Sequence, residues 1–214
     1  MSATGLSRIT LRREPQQERS IQRLDTILSA AAELIAAKGV NGMRMTELAA
    51  VAKVPIGSVY QYFPEKAAIV KALFDRHASA IQAKTAEAFS SVHSLEHALD
   101  LTCGMIDWYY HAYRTDPTYL GVWMGTETDQ DLLRLNIQHS SRVADIFQGA
   151  VAHLLPPDSS VDWHARFNLF SHLIGASIRL AVLSDEALAK RMMAEWKQAI
   201  RIALFAPEPA AGKA

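Results

Sequence analysis

The sequence of 214 residues contains a single cysteine, Cys103, and so cannot form an internal disulfide. Without a second thiolate a cysteine metal site is also excluded, and we expect Cys103 to be a small buried apolar residue. The chain lacks any apolar run near the roughly 18 residues that span a bilayer, and its first residues lack the apolar stretch of a secretory signal. We expect a cytoplasmic protein.

Net charge is also absent, because 22 Lys and Arg balance 22 Asp and Glu. The balance hides an asymmetry: residues 1–66 carry nine Lys or Arg against six Asp or Glu, so the rest of the chain is net acidic. Five of these cations fall within the first 23 residues: Arg8, Arg12, Arg13, Arg19 and Arg23. Such an arm can bind phosphates or remain a solvated tail, and the sequence leaves both open.

No run of alternating β-branched residues indicates a sheet, whereas apolar residues recur at the three- and four-residue spacing of helices. The pattern therefore predicts an all-α fold of about nine helices. The predicted helices cover about residues 19–37, 46–52, 56–62, 65–90, 94–116, 118–125, 128–155, 161–183 and 186–205.

Residues 46–66 contain two short predicted helices separated by a tight turn. Thr46 precedes Glu47 as an N-cap signal for the first helix, and Pro64 limits the second to about residues 56–62. A helix, a tight turn and a short second helix form the arrangement that places the second helix in the major groove of DNA. The spacing therefore predicts a helix-turn-helix DNA-binding domain.

The second of these helices divides into a core side and a DNA side. Val59 and Phe63 lie four residues apart and are expected to face the domain core. Tyr60 and Tyr62 are then expected on the two flanks, where each hydroxyl can donate to a phosphate, with Gln61 outward toward the bases. The alternative is that the rings only fill a core, although Tyr60, Tyr62 and Phe63 cannot all face one core.

These residues form a pattern that a family of regulators shares. TELA at 46–49, VPIGSVYQYF at 54–63 and PEK at 64–66 resemble the helix-turn-helix signature of the tetracycline-repressor (TetR) family of bacterial transcription regulators. The close resemblance covers about residues 20–70, and beyond it only chain length and helix count agree with the nine-helix plan of that family. It implies a DNA-binding regulator, commonly a repressor, that binds a palindromic operator as a dimer.

The resemblance also assigns roles to single residues. It implies base contacts from Ile56, Gly57, Ser58 and Gln61, and phosphate contacts from Thr46, Tyr60, Tyr62 and Lys66, while Arg44 is placed to reach the backbone too. Two positions depart from the family pattern, because Lys53 replaces a turn glycine and Pro55 replaces a frequent serine cap. We expect turn strain at Lys53 if its φ is positive, whereas Pro55 suits a helix start.

The helix pattern and the resemblance together divide the chain into four parts. We expect a flexible basic arm at 1–18, the DNA-binding domain at 19–66, a helical effector-binding and dimerisation domain at 67–206, and a flexible tail at 207–214. A seven-residue helix reads few base pairs, and so one module would bind weakly. Pairing of two copies on a palindrome solves this problem, and we expect a homodimer.

The last two predicted helices carry apolar stripes that are candidates for the dimer interface. The stripes contain Phe167, Phe170, Ser171, Ile174, Gly175, Ile178, Met192, Trp196 and Ile200. They could instead face only the core of their own chain. The resemblance favours the interface, because these helices build an intermolecular four-helix bundle in the TetR family.

Residues 103–124 are unusually rich in aromatic rings and methionine, which predicts burial on several sides. Packing explains most of this, and the alternative is a pocket for a small molecule. The candidate pocket residues are Met105, Trp108, Tyr109, Tyr113, Trp123, Met124 and Arg179. The resemblance implies an apolar or aromatic effector that acts through the helix at 65–90 to release the operator.

Two other function classes stay open on the sequence alone. His93, Glu96 and His97 fit the H-x-x-E-H spacing of some zinc peptidases, but Ser94 as an N-cap places His93 outside the helix, and no third ligand is indicated. A helical scaffold protein with a basic arm is the second class. We expect no enzyme activity, metal, cofactor or membrane partner.

Overall fold

The computed structural model describes residues 8–12, 18–157 and 159–205. Over these ranges the chain forms nine α-helices and no strand, which confirms the all-α prediction. The helices are α1 (Glu18–Gly42), α2 (Met45–Val51), α3 (Ile56–Tyr62), α4 (Lys66–Ala88), α5 (Leu95–Thr115), α6 (Pro117–Thr126), α7 (Gln130–Val151), α8 (Trp163–Val182) and α9 (Glu186–Ile200). A 3₁₀ turn at Ala152–Leu154 follows α7, and a π-helical turn at Arg201–Phe205 follows α9.

Local chemistry explains several helix ends. Gly39 interrupts α1 with a φ of 70°, a conformation that glycine adopts without steric cost. Side chains cap the later helices: Ser94 accepts from the N–H of His97 at 3.0 Å, and Asp162 and Asp185 cap α8 and α9 in the same way. Thr46 does not cap α2, contrary to the prediction, because the N-cap residue is Arg44 and Thr46 lies inside the first turn.

The chain divides into two compact units. The first contains the chain up to Ile81 together with Asp116–His139, and the second contains Gln82–Thr115 together with the chain from Ser140. The first unit therefore includes α1, α2, α3, α6 and the beginnings of α4 and α7. The second includes α5, α8, α9 and the ends of α4 and α7.

In the first unit, α1 packs closely on α6 while α2 packs on α3. Two glycines of α6 permit this approach. A Cβ on Gly121 would lie 2.7 Å from Cγ2 of Ile35, and a Cβ on Gly125 would lie 2.5 Å from Cγ2 of Val40. Any larger residue at either position would push α6 away from α1.

In the second unit, α8 packs against both α5 and α9, and the π-helical turn packs on α5 and α9. Cys103 on α5 is half-buried, so the expectation of a buried residue holds only in part. Burial nevertheless raises the pKa of its thiol, which disfavours the reactive thiolate at neutral pH.

The predicted basic arm falls partly outside the described residues, as does all of the predicted tail at 207–214. Where the arm is described, Ile9 is 1 % exposed and the Arg8 guanidinium contacts three carboxylates of the first unit. Arg8 is thus neutralised within its own chain, which the sequence did not indicate. No helix among the described residues is long and apolar enough to cross a bilayer.

Candidate DNA-binding surface and effector cavity

Helix α3 has two different faces. The inward face consists of Val59, Tyr62 and the adjoining Phe63, none of which is more than 3 % exposed. The outward face consists of Ile56, Gly57, Tyr60 and Gln61, all exposed, with Ser58 half-buried beside them. Residues three and four apart share a helix face, and so one face of this short helix does not pack in the core.

Gly57 has no packing role among the residues that the structure describes. A Cβ built at this position meets nothing within 4 Å. Glycine inside a helix costs about 1 kcal/mol relative to alanine, so the fold alone would favour a larger residue here. A ligand that approaches the helix backbone closely would account for the glycine.

The prediction that Tyr62 lies on an exposed flank of α3 is wrong. Tyr62 is 3 % exposed, whereas Tyr60 is 43 % exposed. The hydroxyl of Tyr62 points to the carbonyl oxygen of Ser20, at a long 3.5 Å. Tyr62 follows Val59 by three residues and therefore shares its inward face.

The turn before α3 has the strain that the sequence suggested. Lys53 has a φ of 54°, the left-handed region that glycine prefers. The N–H of Val54 donates to the carbonyl of Ala49 at 3.0 Å, which holds the turn closed. Pro55 then occupies the N-cap position with a φ of −58°, and its carbonyl accepts from the N–H of Ser58 at 2.8 Å. The replacement of the serine cap thus preserves the helix start.

Three predicted phosphate-contact residues surround α3. Arg44 and Thr46 are exposed at the beginning of α2. Lys66 opens α4 and is half-buried, and its Nζ donates to the carbonyl of Asn41 at 3.3 Å. Like Tyr60, these residues carry hydrogen-bond donors of the kind that suits phosphate oxygens.

The second unit contains a narrow cavity of about 60 Å³, part of which is open to solvent. Its walls come from α4, α5, α7, α8 and the π-helical turn. The lining residues are Thr85, Phe89, Thr102, Met105, Ile106, Tyr109, Val143, Ala144, Phe147, Phe167, Phe170, Ser171, Ile174 and Leu204. None of these side chains carries a charge.

Two hydroxyl groups of the cavity wall are already engaged with the backbone. Thr102 donates to the carbonyl of Ala98 at 2.7 Å, and Ser171 donates to the carbonyl of Ser140 at 2.7 Å. Such hydroxyls offer a ligand little beyond their remaining acceptor capacity. The cavity therefore suits an apolar molecule.

The structure brings only part of the predicted effector set to this cavity. Met105 and Tyr109 line it. Trp108 packs edge-to-face on Tyr109 with ring centroids 5.3 Å apart, but it is not a lining residue. Tyr113 is buried and Arg179 is half-buried, and neither lines the cavity.

Trp123 and Met124, the last two members of the predicted set, belong to the first unit and do not line this cavity. Trp123 is buried and packs against Phe74, with ring centroids 5.0 Å apart. Met124 is exposed. In the same unit the ring of His77 stacks on Tyr119 at 4.0 Å, and burial lowers the pKa of His77 despite the nearby Asp116.

Sequence reasoning missed the aromatic centre of the cavity. The ring of Phe147 meets Phe89 and Phe167 edge-to-face, each with centroids 5.0 Å apart. A signal was present, since Val143, Phe147 and Val151 recur every four residues on α7. Residues 103–124 contain a denser cluster of rings, and the predicted effector residues came mainly from that segment.

Comparison with known families identifies both parts of the chain. The model described as "Bacterial regulatory proteins, tetR family" matches residues 27–73, and "Tetracyclin repressor-like, C-terminal domain" matches residues 96–208, which is more than half of the chain. The protein belongs to the TetR family. It is a ligand-responsive DNA-binding transcription regulator.

Solved structures of TetR-family regulators share the fold. One from Streptomyces coelicolor is 23 % identical, with a TM-score of 0.66, covering 87 % of this chain and 97 % of that one. One from Pectobacterium atrosepticum is 13 % identical with a TM-score of 0.62, covering 89 % and 96 %. One from Nitrosomonas europaea is 19 % identical with a TM-score of 0.58, covering 86 % and 98 %. Comparison with curated proteins gave no match.

In this TetR-family protein, part of the apolar stripe predicted on the last two helices is buried within the chain itself. Phe167, Ile178 and Ile200 are buried in the second unit, which corrects their assignment to a dimer surface. The half-buried members are Phe170, Ser171, Ile174, Gly175, Met192 and Trp196. Other leucines of this region are exposed: Leu169, Leu180, Leu183 and Leu188. Leu183 is 65 % exposed.

The two histidines that fit a zinc-peptidase spacing lie close together near the start of α5. His93 lies outside α5 and its ring is 4.2 Å from that of His97. Within the described parts of the chain, no group of three or more His, Cys, Asp or Glu residues is placed to hold a metal ion.

Proposed function

We propose that two copies of the protein bind a palindromic operator and repress transcription, with α3 of each copy in the major groove. The observation that carries the proposal is the division of α3 into a buried face and an exposed face. The helix is seven residues long, which suits the reading of a few base pairs per half-site. Family membership supports the same location for the DNA-binding domain, at residues 19–66.

The exposed residues differ in the chemistry that they offer to DNA. Gln61 can pair with an adenine edge, and Gly57 leaves room for the bases beside it. Tyr60 can donate to a phosphate from the flank of the helix. The remaining members of the proposed surface are Arg44, Thr46, Ile56, Ser58 and Lys66. Tyr62 is left out, because its ring lies in the core.

The DNA proposal is tested with genomic fragments that the purified protein retains. The retained fragments should share a palindrome, and the palindrome should bind about 10³-fold or more tightly than random duplex. Gln61→Ala should relax the preference at one position of each half-site, whereas Tyr60→Phe should weaken binding to all sequences alike. Equal losses from both variants on operator and random duplex would contradict these roles. Activation of a reporter instead of repression would reverse the proposed sign.

Dimerisation is supported by exposed apolar residues on α8 and α9. Leu180 is 58 % exposed and borders a groove that Leu188, Met192 and Trp196 also line. Contiguous apolar surface of this kind is typical of an interface between protein chains. We therefore assign this groove, which includes Met192 and Trp196 of the predicted stripe, to the contact between two copies.

Leu180→Glu should convert the dimer to a monomer in sedimentation experiments, because it places a charge in a desolvated contact. Operator binding should then fall steeply while the helical circular dichroism signal is retained. Gln198→Glu adds the same charge at an exposed position of α9 outside the groove and should leave the dimer intact. A dimer that survives Leu180→Glu places the interface elsewhere.

The effector is proposed to be a neutral apolar or aromatic molecule that occupies the cavity of the second unit. A charged ligand would be buried without a countercharge, which costs several kcal/mol. The lining of the cavity, which is mostly apolar and carries no charge, suits a ligand of this class. Occupation would favour a dimer conformation that no longer fits the operator.

The effector proposal is tested by filling the cavity. Ala144→Leu introduces a larger apolar side chain into the wall, and it should abolish release by neutral apolar compounds while operator binding is retained. Ala165→Leu makes the same change at an exposed position of α8 and should respond like the original protein. Release of Ala144→Leu by the same compound at the same concentration would place the effector site outside this cavity.

A further inference from the structure

The residues that precede α1 pack against the DNA-binding unit. We call residues 8–12 the N-terminal strap. Ile9 in the strap is 1 % exposed, and the N–H of Arg12 donates to the carbonyl of Tyr62 at 2.9 Å. The strap lines a surface pocket together with Leu24 of α1 and Ala68 of α4. One end of the strap is therefore bonded to the last residue of α3.

The other end of the strap is held by a cluster of carboxylates. Nη1 of Arg8 lies 2.7 Å from Oε1 of Glu65, and Nη2 lies 2.7 Å from Oδ2 of Asp129 and 3.1 Å from Oδ2 of Asp131. Glu65 lies in the turn between α3 and α4. Asp129 directly precedes α7. The single guanidinium of Arg8 thus joins the turn between α3 and α4 to the beginning of α7.

Asp129 is fixed in place from its own side as well. One of its carboxylate oxygens accepts from the N–H groups of Asp131 at 3.0 Å and Leu132 at 3.2 Å, as the residue before a helix commonly does. Burial raises the pKa of Asp129, but the bonds from Arg8 and these two N–H groups outweigh it, and the pKa is lowered overall. The carboxylate is therefore charged and oriented at neutral pH.

The cluster depends on Arg8 for its charge balance. Three carboxylates meet there, and Arg134 also contacts one of them, with Nη1 3.3 Å from Oδ1 of Asp131. Loss of Arg8 would leave Glu65 and Asp129 facing each other without a shared cation, and like charges at short range repel. The turn behind α3 would then move away from α7.

We propose that Arg8 is a positioning residue for operator binding, which acts by holding the turn behind α3 in place and not by contacting DNA. The recognition helix has only seven residues, so its direction depends on how its two ends are fixed. The strap fixes the C-terminal end twice, through Tyr62 and through Glu65. A small rotation of this helix would misalign base contacts on the operator while contacts to any phosphate backbone persist. This inference rests on the proposed DNA-binding surface.

The alternative role, a phosphate contact by a basic arm, predicts opposite signs. If Arg8 binds phosphate, Glu65→Gln and Asp129→Asn would strengthen binding to every duplex, because each removes a negative charge. If Arg8 positions α3, the same two variants should weaken operator binding, since they release the strap. Arg8→Lys also separates the roles: a lysine can serve a phosphate, but it cannot bridge several carboxylates as the planar guanidinium does.

The test uses the full-length protein with the palindrome retained from genomic DNA and a random duplex of the same length, over a series of salt concentrations. Arg8→Gln, Glu65→Gln and Asp129→Asn should each weaken operator binding about tenfold. Binding to random duplex and the salt slope on it should not change. Arg8→Lys should bind the operator about as weakly as Arg8→Gln. The double variant of Arg8→Gln with Asp129→Asn should be no worse than either single variant.

Arg134→Gln is the matched control, because it also removes a contact to Asp131 but does not reach Glu65. It should leave operator affinity unchanged. Affinities are corrected for the folded fraction by urea unfolding of each variant. A lower salt slope for Arg8→Gln, or tighter binding by either carboxylate variant, would overturn the positioning role. If the unaltered protein prefers no fragment over random duplex, the proposed function itself fails.

Discussion

Replacing Gly121 by alanine should destabilise the protein, although alanine is the better helix former. The new Cβ would lie 2.7 Å from Cγ2 of Ile35 and 3.1 Å from its carbonyl oxygen. Ile35 is buried and its carbonyl is part of α1, so neither atom can move without shifting a helix. Overpacking of this kind costs about 1–3 kcal/mol, and the helix preference of alanine offsets about 1 kcal/mol. The free energy of unfolding should therefore fall by as much as about 2 kcal/mol.

Gly104→Ala provides the comparison, because Gly104 is an exposed residue in α5 and a Cβ there meets nothing within 4 Å. This variant should gain up to about 1 kcal/mol. Urea unfolding followed by circular dichroism measures both variants against the original protein. The same chemical change should thus have opposite signs at the two positions. If Gly121→Ala is as stable as Gly104→Ala, the close approach of α6 to α1 does not exist in solution.

Three further predictions concern other parts of the molecule. Lys53→Gly should raise the free energy of unfolding by about 0.5–1 kcal/mol because it relieves a positive φ, while Lys53→Ala should give no gain in the same urea experiment. The lowered pKa of Asp129 means that its stabilising contribution is present above the unfolded-state pKa of about 3.9 and is lost as pH falls through the folded-state value. Asp129→Asn should therefore reduce the acid sensitivity of unfolding, and an unchanged pH profile would contradict the ion cluster. Phe147→Ala should cost about 3 kcal/mol by enlarging the cavity, and a loss below about 1 kcal/mol would mean that the ring does not pack between Phe89 and Phe167.

The sequence was most informative where the relevant contacts are local. Pro64 and Pro55 limit α3 to residues 56–62, and the structure has the same bounds. Spacing also contained the correct position of Tyr62, since a residue three after the buried Val59 shares its face. The error came from treating Tyr60 and Tyr62 as symmetric flanks of Gln61, as if the helix had a period of two.

The spacing of residue types in the sequence did not predict contacts between residues that are far apart in the chain. Nothing near Arg8 in the chain indicates that it meets Asp129 and Asp131, which lie more than 100 positions away. Part of the predicted dimer stripe is buried for a related reason: apolar spacing shows that a helix buries one face, but not whether its own chain or another covers that face. Phe167 and Ile178 were on the face that their own chain covers.

The division of α3 into a buried face and an exposed face affects how such a regulator can change its target sites during evolution. Ile56, Gly57, Tyr60 and Gln61 contribute little to the interior, so substitutions there cost little folding free energy. On the proposed DNA-binding surface, mutations that redirect the protein to a new promoter would need no compensating change elsewhere in the chain. A gene duplicate could diverge in its target sites through a handful of codons while it keeps its inherited stability.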